Sequence, residues 1–107
     1  MRIIARRTLR RYVDRLAGHK DQRAVKAALD AWFAEASVAD WANAADVMKQ
    51  YATASIISAE RIVFNVKGND HRMVVAVDFE KGIVWIKWIG THKDYDRIDV
   101  AEVRYDG

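Results

Sequence analysis

The chain contains no cysteine, which excludes disulfides, thiolate catalysis and cysteine-based metal sites. Proline is also absent, which fits compact helices and short turns better than extended linkers. Histidine is scarce and scattered, at His19, His71 and His92, which argues against a dedicated metal centre; neither metal nor cofactor is expected. No apolar run approaches bilayer length, and the basic start MRIIARR leads into no apolar stretch of signal-peptide length. The expectation is a soluble, cytoplasmic protein with no membrane partner.

What is present suffices for one ordinary domain spanning residues 1–107, since 51% of the residues are hydrophobic and can fill one core. The charge is mildly basic, 18 Lys+Arg against 15 Asp+Glu. Its distribution says more than its sum. Arg2, Arg6, Arg7, Arg10, Arg11 and Arg15 fall in the first fifteen residues, where no acid precedes Asp14. Such a stretch reads either as a solvated helix face or as a patch turned towards phosphate.

Hydrophobic spacing divides the chain into a helical half and a strand half. MRIIA can form a short strand. Leu9, Tyr12, Val13 and Leu16 then recur on one helical face, with Gly18 as a stop and Asp21 as the cap of the next helix. Val25, Ala28, Leu29, Trp32 and Phe33 form a stripe with Arg23, Lys26 and Asp30 outside it, and a third helix is expected to carry Trp41, Ala44, Ala45 and Met48. After Tyr51 the period falls to two. Residues 61–67 and 71–79 read as a hairpin around Gly68-Asn69-Asp70, followed by a turn at Glu80-Lys81-Gly82 and a last strand over 83–89. Gly90 is expected to release the chain into a short helix over Thr91–Ile98. The order of elements predicts an α+β domain with the helices on one face of an antiparallel sheet.

Packing Ile62, Phe64, Met73, Val75, Val77 and Phe79 under the helices sends Asn65, Lys67 and Arg72 to the open face. Strict alternation places Lys87 away from Val84, Ile86 and Trp88, beside Trp85. Cations next to an indole are the composition of a surface for RNA phosphates and stacked bases, and equally of a merely solvated sheet face. The polar cluster THKDYD, just past the last strand, is harder to ascribe to folding. Thr91 suits a helix cap, but His92 at the opening of a helical turn, one turn before Tyr95, sets a proton-transferring side chain where backbone N–H groups favour an anion.

Phe64-Asn65-Val66-Lys67-Gly68-Asn69-Asp70-His71-Arg72 and Thr91-His92-Lys93-Asp94-Tyr95-Asp96, in that order and at this spacing, resemble two motifs of the HigB family of bacterial toxins. The resemblance is strong over 61–98 and looser in the helical half. It implies a RelE-like fold and a toxin that enters the ribosomal 30S A site and cuts translated mRNA. It further implies silencing by a HigA-like helix-turn-helix antitoxin, with operator DNA bound only through that antitoxin. Carried over by position, Arg72 holds phosphate, His92 and Tyr95 are site residues, and Lys87 lies where the family usually has a basic residue. Asn65, Lys67, Asn69, Lys93, Arg6 and Arg10 complete the expected RNA-contacting set. The implied chemistry is metal-free attack of a ribose 2′-hydroxyl on its own phosphate. RelE-like scaffolds also include poisons of DNA gyrase that cleave no RNA, and a plain RNA-binding module is a third reading.

Overall fold

Three strands of alternating apolar residues fold as a meander that organises everything else. In the computed structural model, which describes residues 1–103, the elements run β1 (Arg2–Ile4), α1 (Arg6–Arg15), α2 (Gln22–Val38), α3 (Ala44–Gln50), β2 (Ser55–Ile56), β3 (Arg61–Val66), β4 (His71–Asp78), β5 (Ile83–Thr91) and α4 (His92–Tyr95). The sheet order is β1-β5-β4-β3-β2. Its pairs are antiparallel except β1 with β5, which run parallel through Arg2↔Ile83 to Ile4↔Trp85. No helix among the described residues is long and apolar enough to cross a membrane.

The register fixes which side chains share a face. Ile62↔Val75 and Phe64↔Met73 place the alternating apolar set on one side, joined by Val84, Ile86 and Ile89 of β5. Leu9 and Tyr12 of α1 and Val25, Leu29, Trp32 and Ala36 of α2 close that side into the core. Trp32 meets Phe64 edge-on, with ring centroids 5.5 Å apart. The three N-terminal helices therefore occupy one face of the sheet, as the hydrophobic spacing predicts.

Four local expectations are corrected. Trp41 lies before the third helix, buried and donating from Nε1 to Gln50 Oε1; the helix is capped by Asn43 and buries Val47. Gly90 continues β5 opposite Arg72, because the strand runs on to Thr91. Asp21 makes no cap hydrogen bond, its carboxylate being engaged elsewhere. The fourth concerns β5. Val74 pairs with Trp88 but Val75 pairs with Ile86, so Lys87 is an extra residue in a β-bulge. The inserted residue breaks the alternation that puts Trp88 with Val84 and Ile86. Trp88 turns instead to the face opposite the helices.

That opposite face is only partly open. Val63 and Val74 are buried there. The Arg61 guanidinium reaches across to the carbonyls of Val100 and Val103, tying down the segment behind α4.

Candidate functional site

Asn65, Arg72 and Gly90 form one row across three strands, through the pairs Asn65↔Arg72 and Arg72↔Gly90. Only the middle residue is charged. Its guanidinium lies 4.7 Å from the centre of the Tyr95 ring, and Nη2 donates to Asn69 Oδ1 at 2.9 Å. The Nε–H of Arg72 is shielded from solvent and has no hydrogen-bond partner among the described residues. A guanidinium stacked on a phenol ring and held at one corner keeps further donors in a fixed plane, the geometry suited to a phosphate.

Tyr95 is placed by Trp88, whose ring is tilted 55° to it at 6.1 Å. Trp88 lies flat on the strand, because Gly90 leaves the space: a Cβ there would meet two Trp88 ring carbons at 2.5 Å. Gly90→Ala is therefore expected to displace the indole and cost about 1–3 kcal/mol by overpacking. Adding Trp88→Ala should remove the clash penalty. Denaturant titration of the single and double variants, with near-UV circular dichroism of the aromatic rings, checks this.

The short helix α4 begins where β5 ends. Thr91 Oγ1 accepts from the Asp94 N–H at 3.1 Å, a side-chain cap, and the His92 N–H donates to the Asp70 carbonyl at 2.9 Å. His92, Tyr95 and Asp96 occupy positions i, i+3 and i+4, which lie on one helical face. His92 Nε2 is 3.8 Å from Asp96 Oδ2, while its Nδ1 is shielded and unpartnered among the described residues. The ring as a whole is 40% exposed. Arg72 and Tyr95 are thus in contact, and His92 is one turn from Tyr95 on the same helix. Asp96, the last residue of THKDYD, is the neighbour of His92 that sequence reasoning did not single out.

The remaining expected residues divide. Lys87 projects to the same face as Arg72, its ammonium 5.9 Å from the Trp85 ring, displaced along the strands by roughly 7–10 Å at ~3.3 Å per residue. Asn65 is exposed and donates to the Thr53 carbonyl, and Lys93 is exposed on α4. Asn69 holds Arg72. Lys67 departs from the expectation of the open face: it adopts φ 51°, and its ammonium turns to Asp21 at 2.8 Å and Asp70 at 3.0 Å. Arg6 and Arg10 sit on α1, on the other side of the sheet from Arg72. There they rim a groove of about 360 Å³ against α2, with Arg6 over the Phe33 ring at 4.3 Å and 4.0 Å from Asp30.

Spacing alone did not bring out a polar network buried beneath the sheet. His71, 1% exposed, bonds Tyr12 Oη through Nδ1 at 2.6 Å and Asp21 Oδ2 through Nε2 at 3.1 Å. A neutral imidazole with its proton on Nε2 satisfies both contacts. The Lys67 ammonium, then the His71 ring, draw the Asp21 carboxyl down from 3.8 to about 2. The signal was available: His71 falls in step with Met73, Val75 and Val77, hence on the core face, where a histidine needs partners.

A family model described as HigB_toxin, the RelE-like toxic component of a toxin–antitoxin system, matches residues 25–98. No curated protein matches the chain. The match spans most of α2, the whole meander and α4, so both motifs carrying the resemblance lie inside it.

Proposed function

Because this chain belongs to the HigB family, the RelE-like toxic component of a toxin–antitoxin system, we propose that it is a ribosome-dependent endonuclease that cuts translated mRNA. The observation that carries this reading is the Arg72 guanidinium stacked on Tyr95, with His92 one turn away on a helix capped by Thr91.

RNA cleavage by its own 2′-hydroxyl needs three things: removal of the hydroxyl proton, neutralisation of charge on the phosphoryl oxygens, and a proton for the departing 5′-oxygen. As the 2′-oxygen bonds to phosphorus the P–O5′ bond breaks, leaving a 2′,3′-cyclic phosphate and a 5′-hydroxyl. Arg72 supplies the charge, its planar donors facing a phosphate while Tyr95 supports the opposite side. His92 moves the proton. Tyr95 orients the nucleotide, and Lys87 with Trp85 offers a cation and a ring to the neighbouring one. Asn65 borders the same face, and Lys93 is an exposed cation on α4.

The substrate is mRNA in the 30S A site, the place of action is the cytoplasm, and the arginines of α1 anchor the protein on ribosomal RNA from the far side of the sheet. The partner is a HigA-like helix-turn-helix antitoxin, through which alone the complex reaches operator DNA.

Mapping transcripts by primer extension after induction tests the reading. Breaks confined to translated regions, lost when the nucleotide at the cut carries 2′-deoxyribose in a programmed ribosome, are the expected result. Growth arrest with intact messages and damaged DNA would instead mark a gyrase poison. Absence of any arrest would mark a simple binding module.

A further inference from the structure

One turn holds both halves of the candidate site. The β3–β4 connection, residues 67–70, presents Asn69 Oδ1 to the Arg72 guanidinium at 2.9 Å and the Asp70 carbonyl to the His92 N–H at 2.9 Å. Its conformation is costly at Lys67, whose φ is 51°, while Gly68 beside it takes φ 62° without steric penalty. A non-glycine residue in the left-handed region persists when its surroundings over-determine it. Here they do. The left-handed backbone swings the Lys67 side chain off the face it shares by alternation with Asn65, and its ammonium bridges Asp70 in the turn and Asp21 at the start of α2. Asp21 is itself buried and fixed by His71, the strand neighbour of Arg72 and cross-strand partner of Thr91.

We infer that Lys67, anchored on Asp21 across the sheet, is a positioning residue that sets Arg72 and His92 relative to one another through this turn. This rests on the nuclease reading above and assigns Lys67 a role other than contact with RNA. The two roles predict opposite kinetics. A phosphate contact made by Lys67 adds to ground-state binding, so its loss raises KM. Loss of a positioning strut misplaces Arg72 and His92 at the transition state and lowers kcat.

Lys67→Met keeps the aliphatic stem and removes the ammonium. Cleavage by ribosome-bound toxin is expected to show kcat about 10–100-fold lower with KM within about twofold, and Lys67→Arg to restore most of the rate. Hydrogen exchange of the His92 amide, whose acceptor is the Asp70 carbonyl, should quicken about tenfold in Lys67→Met and return towards the parent in Lys67→Arg. Asn69→Ala, at an exposed position, should lower kcat while leaving the His92 amide unchanged, because it releases only the guanidinium. A raised KM at unchanged kcat in Lys67→Met, or unaltered His92 exchange, would overturn the proposal. If the parent protein cleaves nothing, the nuclease reading fails, and the exchange data still decide whether Lys67 holds the turn.

Discussion

Arg72→Ala is expected, on the proposed nuclease function, to lower single-turnover cleavage on programmed ribosomes by about 10²–10³-fold, the scale of losing one preorganised charge donor at a developing phosphorane. The expectation follows from how much is arranged around this one side chain. Asn69 fixes one corner of the guanidinium, Tyr95 supports its plane, and Trp88 backs Tyr95. A cation over an aromatic ring gains roughly 0.5–2 kcal/mol, enough to favour one orientation over the many a surface arginine samples. Arg72→Lys keeps the charge and loses the fork, so it should recover only part of the rate. The fold should survive both changes, because Arg72 belongs to the face opposite the main core, and circular dichroism with thermal unfolding verifies that. Activity of Arg72→Ala within threefold of the parent would remove the guanidinium from the reaction.

How much of this was legible beforehand depends on the kind of signal each residue carries. The α2 stripe and the alternation in β3 and β4 are periodic over many residues, and burial enforces them, so helices, hairpin and faces followed from the pattern alone. Single-residue events are invisible to a period. The extra residue Lys87 changes the face of Trp88 without altering composition, and the tilted contact of Trp88 with Tyr95 depends on that bulge. Left-handed backbone at Lys67 is likewise a local event; Gly68-Asn69-Asp70 announces a turn, but not that the residue before the glycine bends with it.

Asp21 shows a different failure. Its position before an amphipathic stripe is what a helix cap looks like, and the competing partners lie 46 and 50 residues away. Long-range ion pairing overrode local propensity. The motif residues themselves were legible as residue types: an arginine on the second strand of the meander, and a histidine and a tyrosine on the short helix that follows its last strand. What could not be read was that Arg72 and Tyr95 touch, since that requires the β4–β5 register.

His92→Ala is the second large effect, with cleavage expected to fall about 10²–10⁴-fold, the usual contribution of a positioned acid or base. The ring is partly exposed, its Nδ1 is unpartnered among the described residues and Asp96 lies 3.8 Å from Nε2, so little of the fold depends on it. Stability should change by less than about 1 kcal/mol. Antitoxin binding, measured by titration calorimetry, should be retained. Tyr95 separates packing from chemistry. Tyr95→Phe keeps the ring against Arg72 and Trp88 and removes only the hydroxyl, so it should cost less than Tyr95→Ala, which withdraws the support beneath the guanidinium. A proton-transferring role for the phenol would reverse that expectation by making Tyr95→Phe as damaging as Tyr95→Ala. Combining His92→Ala with Tyr95→Phe gives the decisive growth assay. Should cells expressing the double variant arrest as fully as those expressing the parent, the chemistry lies elsewhere on this face, and Lys87 beside Trp85 is the next group to remove.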